Sequence, residues 1–290
     1  MSLTWPWHFV SVSPAEKQHR RELLDLRGYY AQGSVLLVIV LTRLYKVYSE
    51  STKSADRPNN RRSRRPKSWL DSPPLAGWVE TRRQYIFSLI WLGWLLSLSV
   101  WNTGDDYLHL TKALGHVGLS QLPFQVLMSP SLYIITSKSG SPSILSVLIS
   151  IPQPALTPYH RLLGRLVLPP LLVGHATLYL SFFVQSSHPD FSSLFAKRIQ
   201  DLDVQWGISA VSIAILLLLF ARPLSASRGV WSWTTASVKT KRQVFYITHI
   251  FLVATLCLAA YFHVVHARVF VLEALVGFAI NVACCWMKGR

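Results

Sequence analysis

Four of the ten histidines lie inside or at the ends of two long apolar segments, where an ionisable side chain is costly and therefore suggests a function. His160 and His175 are 15 residues apart on one segment, and His249 and His263 are 14 residues apart on the other. At 100° per residue, these separations fall within about 60° and about 40° of four helical turns. Each pair therefore lies on one face of its helix, about 21–22 Å apart along the axis.

Two helices that cross a membrane in the same direction would place these histidines opposite one another in two layers. We expect His160 to face His249 near the cytosolic side, and His175 to face His263 near the outer side. Two opposed imidazoles can ligate one haem iron, and six-coordinate iron has no open position for oxygen. The pattern therefore predicts electron transfer through two haems about 20 Å apart. Spacing alone leaves open a proton relay, a transporter, or hydrogen-bonded packing histidines.

The other histidines and the cysteines show no such pattern. His266 is 17 residues from His249, which turns it about 100° off the shared face. The remaining histidines lie in the N-terminal tail, beside the start of the third apolar segment or in a loop, and we set them aside (His8, His19, His109, His116 and His188). The three cysteines lie in apolar stretches without a CxxC pattern, which is typical of small packing residues (Cys257, Cys284 and Cys285).

The composition is typical of a membrane protein. Hydrophobic residues make up 51% of the 290 residues, charged residues only 14%, and there are eleven Trp. The formal net charge is +16, but the basic residues lie in the loops between apolar segments, which favours a lipid bilayer over nucleic acid as the partner.

Seven segments are long enough, or nearly so, to cross a bilayer whose core is about 30 Å thick. We therefore predict an all-α integral membrane protein of about seven transmembrane helices with a bis-haem helical bundle at its core. The segments are Gly28 to Tyr45, Tyr85 to Trp101, Val117 to Ile135, Arg161 to Val184, Gln205 to Ala221, Val244 to Phe262 and Val269 to Trp286. By this division residues 1–27 are an extracellular tail, 28–48 the first helix, 49–84 a basic cytosolic linker, 85–287 the haem domain and 288–290 a cytosolic end.

The basic residues also predict the orientation. The loops after the first, third and fifth segments, with their flanks and the C-terminus, hold 21 of the 29 lysines and arginines. The positive-inside rule then places the N-terminus outside and the C-terminus in the cytosol of a multi-pass protein, which we expect in the plasma membrane. The linker STKSADRPNNRRSRRPK either enforces this topology or also attracts anionic lipid.

Motifs around the histidines carry a resemblance. YHRLLGRLVLPPLLVGHATLYL contains His160, Arg161, Gly164, Arg165 and His175, and it follows GHVGLSQLPFQVLMS. RIQDLDVQWGISA and VFYITHIFLVATLCLAAYFHVVHARVFVLEAL come later in the chain. Together, over about residues 83–283, they resemble the ferric-reductase-like transmembrane domain of fungal ferric-chelate reductases and NADPH oxidases. Fungal metalloreductases are the closer likeness.

The resemblance implies two b-type haems with His160 and His249 as ligands of the inner one and His175 and His263 as ligands of the outer one. It also implies an oxidoreductase pathway in which cytosolic NADPH reduces FAD, and electrons cross the haems to an extracellular ferric or cupric ion. Arg161 and Arg165 would either pair with propionates of the inner haem or anchor the helix at the interface.

The chain departs from the family in one respect. Relatives continue into flavin and nicotinamide domains, whereas here the only His-Pro is His188–Pro189, no GxGxxG-like sequence occurs, and the sequence ends at CCWMKGR. We therefore expect no FAD or NADPH site in this chain. A separate flavoprotein donor, a truncated product and a degenerate relative stay open, as do a superoxide-generating component and a non-catalytic membrane scaffold.

Overall fold

The computed structural model describes residues 7–55, 68–129, 142–187, 189–220 and 237–289. These residues form α-helices with short 3₁₀ and π segments, together with one isolated β-bridge between His8 and Asp106. The predicted all-α class is confirmed. The helices are α1 (Pro14–Ala55), α2 (Arg82–Val100), α3 (Tyr107–Ser120), α4 (Leu122–Leu127), α5 (Ile144–Ile149), α6 (Gln153–Leu162), α7 (Leu168–Gln185), α8 (Leu194–Arg198), α9 (Leu202–Phe220), α10 (Val238–His263) and α11 (Arg268–Gly289).

Five stretches of the described chain are long and apolar enough to cross a membrane, which makes this an integral membrane protein. They correspond to the first, fourth, fifth, sixth and seventh predicted segments. The described parts of the other two predicted segments form α2, which opens with two arginines, and the shorter α3 and α4. The five spans are Pro14–Thr52, Gln153–Gln185, Leu202–Phe220, Gln243–His263 and Val265–Met287.

The first helix begins well before the predicted boundary at residue 28. Ser13 caps it, because the hydroxyl accepts a hydrogen bond from the Glu16 main-chain N–H at 3.2 Å. Arg27 lies inside this helix and is only 1% exposed. Its guanidinium donates to the Trp101 carbonyl at 2.6 Å and lies 3.0 Å from His109 Nε2. Residues 14–27 are therefore helical, and Leu24 and Arg27 of this stretch are buried.

The third helix is the centre of the bundle. α3 begins at Tyr107, ten residues before the predicted start, and nearly all of its residues are buried. Asp106 caps it by accepting a hydrogen bond from the Leu108 main-chain N–H at 2.9 Å. His109 and His116, which the sequence analysis set outside this helix, are buried within it, and His116 Nε2 lies 3.0 Å from an Asp25 carboxylate oxygen. Polar partners on α1 explain why these histidines are tolerated in the interior.

The other helices pack around this centre. α3 contacts α1, α2 and α7; α9 packs along α10, and α11 packs on α4. Val117, Leu171 and Phe270 are buried where three of these helices meet. Many leucines and phenylalanines of α9, α10 and α11 are exposed on the outer surface, as expected for lipid-facing positions.

Candidate functional site

The four histidines meet in two pairs. The ring centroids of His160 and His249 are 6.5 Å apart, and those of His175 and His263 are 6.2 Å apart. We call these the 160/249 layer and the 175/263 layer. All four side chains are half-buried. His160 lies on α6 and His175 on α7, whereas His249 and His263 both lie on α10.

A π-helical segment makes the spacing of His160 and His175 match the spacing of His249 and His263. Residues Leu163–Val167 are π-helical, and the Leu168 main-chain N–H donates to the Leu163 carbonyl five residues earlier. Pro169 and Pro170 lack N–H groups, so the carbonyls four residues before them lose their usual helical donors, which favours such a distortion. A π turn holds about one residue more than an α turn. The 15-residue separation on this helix therefore corresponds to about 14 α-helical residues, the separation found on α10.

Main-chain carbonyls orient three of the four imidazoles. His160 Nδ1 lies 2.9 Å from the Gln125 carbonyl, His175 Nδ1 lies 2.7 Å from the Thr111 carbonyl, and His263 Nδ1 lies 2.6 Å from the Asp203 carbonyl. A carbonyl oxygen can only accept, so each Nδ1 carries the proton and each Nε2 keeps its lone pair. Metal-ligating histidines in proteins are commonly held in this way.

The fourth imidazole is held differently. The His249 ring stacks on the Phe245 ring one turn earlier, with centroids 5.5 Å apart and an interplanar angle of 24°. Within the described residues His249 has no carbonyl partner of the kind that the other three have.

Two glycines make room for the 175/263 layer. A Cβ on Gly207 would lie 2.6 Å from the His263 ring, and a Cβ on Gly115 would lie 3.0 Å from the His175 ring. Any larger residue would push these rings from their positions. The rings therefore lie directly against the main chains of α9 and α3.

In the 160/249 layer, Gln125 and His160 are instead joined by two hydrogen bonds, which we call the Gln125 clasp. Gln125 Nε2 donates to the His160 carbonyl at 2.9 Å, while the Gln125 carbonyl accepts from the His160 ring. A Cβ on Gly164 would lie 3.0 Å from Gln125 Nε2, so this glycine leaves space for the amide.

A buried carboxylate to which no motif in the sequence points lies near the same layer. Glu80 is 4% exposed, and its Oε1 lies 2.9 Å from Arg161 Nε and 3.0 Å from Arg165 Nη2. Both arginines that the resemblance assigned to haem propionates or to interfacial anchoring thus contact a protein carboxylate. One carboxylate between two guanidiniums leaves a net positive charge. The only sequence signal was an acidic residue beside the basic start of α2.

The two layers fit an iron between opposed imidazoles. Metal–imidazole bonds are about 2 Å long, and a ring nitrogen lies about 1.1 Å from the ring centroid, so a shared metal separates the centroids by about 6 Å. The observed 6.5 Å and 6.2 Å agree with this distance. Among the described residues, no group of three or more His, Cys, Asp or Glu side chains is placed to hold a metal ion.

A family model described as ferric reductase like transmembrane component matches residues 114–260. The chain belongs to this family. The match contains His160, His175 and His249 and ends three residues before His263. The family is one of haem-binding proteins that transfer electrons across membranes. Searches of curated proteins and of solved structures found no match.

Proposed function

We propose that this ferric-reductase-type chain transfers electrons across the membrane through two b-type haems, as the membrane component of a metal reductase. His160 and His249 would hold the inner haem, and His175 and His263 the outer haem. The observation that carries the proposal is the pair of imidazole layers with centroid separations of 6.5 Å and 6.2 Å.

A bound haem supplies an iron that gains and loses one electron without opening a site for substrate. The protein's part is to keep the ligands ready. The carbonyls of Gln125, Thr111 and Asp203 hold the Nδ1 protons and so direct three Nε2 lone pairs away from the main chain. The glycine faces at Gly115 and Gly207 keep the rings of the 175/263 layer in position.

The distribution of basic residues supports the direction of transfer. The concentration of lysine and arginine in the loops at the 160/249 end supports a cytosolic position for that end and an extracellular position for the N-terminus. The membrane would be the plasma membrane. FAD reduced by NADPH would supply the electrons. An extracellular ferric or cupric ion would be the acceptor, as the resemblance to fungal metalloreductases implies.

Difference spectra of the purified full chain, reduced minus oxidised, test this proposal. We expect two low-spin b-type haems per chain after haem-replete expression. His160→Ala and His249→Ala should each remove the same haem, and His175→Ala and His263→Ala should each remove the other. His266→Ala is the matched control, because this exposed histidine lies three residues from a proposed ligand and should leave both haems in place.

Two results would contradict the proposal. A chain without a Soret band would point to a membrane scaffold instead of an electron carrier. Loss of different haems on substituting the two members of one layer would show that the ligands are paired otherwise.

A further inference from the structure

His8, which the sequence analysis set aside, is fixed beside Asp105 by the main chain. The His8 N–H donates to the Asp105 carbonyl at 2.6 Å, and the Tyr107 N–H donates to the His8 carbonyl at 2.9 Å. This bridge places His8 Nε2 3.9 Å from an Asp105 carboxylate oxygen. The two side chains are 64% and 66% exposed, so an imidazole and a carboxylate face solvent together.

Neighbouring carboxylates at this end have other roles. Asp106 is buried, pairs with Arg20 and caps α3, so its oxygens are occupied. Asp201 and Asp203 both pair with Arg198, which neutralises part of their charge. Among the described residues, the ion-pair partner of Asp105 is His8, a group that is itself a metal ligand when neutral.

A row of aromatic rings connects this pair to the 175/263 layer. Phe9 follows His8, and its ring centroid is 4.6 Å from that of Phe182. Phe182 is 6.3 Å from Tyr179, and Tyr179 is 5.7 Å from the His175 ring.

Tyr107 fixes the row. Its hydroxyl donates to the Leu178 carbonyl on α7 at 2.8 Å, and its ring lies 5.2 Å from the Phe9 ring. Because electron transfer through protein weakens steeply with distance, a continuous chain of contacts from His175 to His8 is the feature that distinguishes this surface position.

We propose that His8 Nε2 and the Asp105 carboxylate are the docking site for the metal-ion acceptor, a ferric or cupric ion. This rests on the proposed function. Imidazole and carboxylate are ligands for copper and iron, and bonds of about 2.0–2.2 Å accommodate ligand atoms up to about 4 Å apart. Two protein ligands leave the remaining positions to water or to a chelator, so the ion binds weakly enough to leave.

The electron balance is simple. The docked ferric ion gains one electron and leaves as ferrous ion, or cupric ion leaves as cuprous ion, and no proton is needed. The electron originates from a donor of the reduced-flavin class and reaches the site from the 175/263 side of the bundle.

Copper binding to the purified full chain, kept fully oxidised so that the ion is not consumed, tests the site. We expect electron paramagnetic resonance of added Cu²⁺ to show a site with nitrogen coordination. Loss of outer-shell partners of metal sites already costs 10–100-fold in affinity, so His8→Asn should weaken binding by about tenfold or more, and Asp105→Asn should weaken it as well. His266→Asn is the control, because it removes an exposed histidine at the same end of the bundle.

Haem spectra of the same samples separate this proposal from the proposed function. Intact haem spectra with equal Cu²⁺ affinity in wild type, His8→Asn and Asp105→Asn would overturn the docking site alone. Cu²⁺ binding that depends on both residues in a chain without haem would support docking and contradict electron transfer. Weakening by His266→Asn equal to that by His8→Asn would also overturn the docking site.

Discussion

The two histidine layers contain the same kind of pair but are positioned by different means. The 160/249 layer has side-chain supports, since the Gln125 amide donates to the His160 carbonyl and buried Glu80 pairs with Arg161 of α6 and Arg165 of the π segment. The 175/263 layer depends on the absence of side chains, since its rings rest on Gly115 and Gly207. One layer is therefore sensitive to lost polar groups and the other to added atoms.

The surroundings of the two layers also differ. Beside the 160/249 layer two guanidiniums share one buried carboxylate, which leaves a net positive charge there. Beside the 175/263 layer lies the aromatic row from Tyr179 to Phe9, which ends at the exposed His8. The proposed direction of transfer suits this difference. A positively charged end favours a reduced, anionic donor, whereas the other end exposes an imidazole and a carboxylate to a metal cation.

The largest effect is expected from filling the glycine face of the 175/263 layer. In Gly207→Ala the new methyl would lie 2.6 Å from the His263 ring, so the ring must shift from its position. We expect the difference spectrum to lose the haem assigned to this layer and to keep the other. Absorption spectra and haem content per chain measure the change.

Gly93→Ala is the control for this substitution. A Cβ at Gly93 meets no atom within 4 Å, and alanine favours a helix over glycine by about 1 kcal/mol, so this variant should keep both haems and full stability. If Gly207→Ala also kept both, the glycine face would not position the layer.

A smaller effect is expected from removing the charge beside the other layer. Glu80→Gln leaves Arg161 and Arg165 without their carboxylate in a partly buried position. Breaking a fully buried pair costs 3–5 kcal/mol, and the partial exposure of the arginines reduces the expected loss of stability to about 1–3 kcal/mol. Thermal unfolding in detergent should show a lower Tm.

The matched control is Asp71→Asn, which removes an exposed ion pair to Arg83 in the same region. Exposed pairs contribute about 0–1 kcal/mol, so the Tm should change little. Equal Tm shifts in the two variants would mean that the buried ion pairs of Glu80 contribute no more stability than the exposed pair of Asp71.

Much of the fold follows from hydrophobic segments, because the length and composition of a membrane span are set by the bilayer. Its all-helical class and membrane nature could be predicted in this way. The starts of α1 and α3 could not. Both helices begin in polar sequence that contains Arg27, His109 and His116, and these become buried only because they find partners on each other's helices. Pairing of this kind is a tertiary effect that hydropathy does not register.

The candidate site was predictable to the level of which residues face each other. Helical periodicity placed His160 and His175 on one face with an offset of about 60°, and the π segment that reduces this offset depends on hydrogen bonds, not on composition. Glu80 and His8 could not be found from spacing, because each reaches its partners through a loop whose path the sequence pattern leaves undetermined. The role of the four histidines as haem ligands stays a prediction.

The smallest effect is expected from removing the hydrogen bond of the Gln125 side chain while the hydrogen bond of the Gln125 main-chain carbonyl remains. In Gln125→Met the hydrogen bond to the His160 carbonyl is lost, but the Gln125 carbonyl that accepts from His160 Nδ1 is kept, and the His160 carbonyl still accepts from the Leu163 N–H. Gln125 Oε1 has no hydrogen-bond partner among the described residues, so its removal costs nothing further. We expect a loss of about 1 kcal/mol or less, with full haem content and a small shift in the midpoint potential of the 160/249 haem.

Thr111→Val provides the comparison in the other layer. It removes a buried hydroxyl but keeps the carbonyl that accepts from His175, so the potential of the 175/263 haem should not move. Redox titration monitored by absorption resolves both variants. Loss of the 160/249 haem in Gln125→Met would show that the side chain, and not the main chain, fixes His160. The two layers would then differ more in how they are held than their contacts indicate.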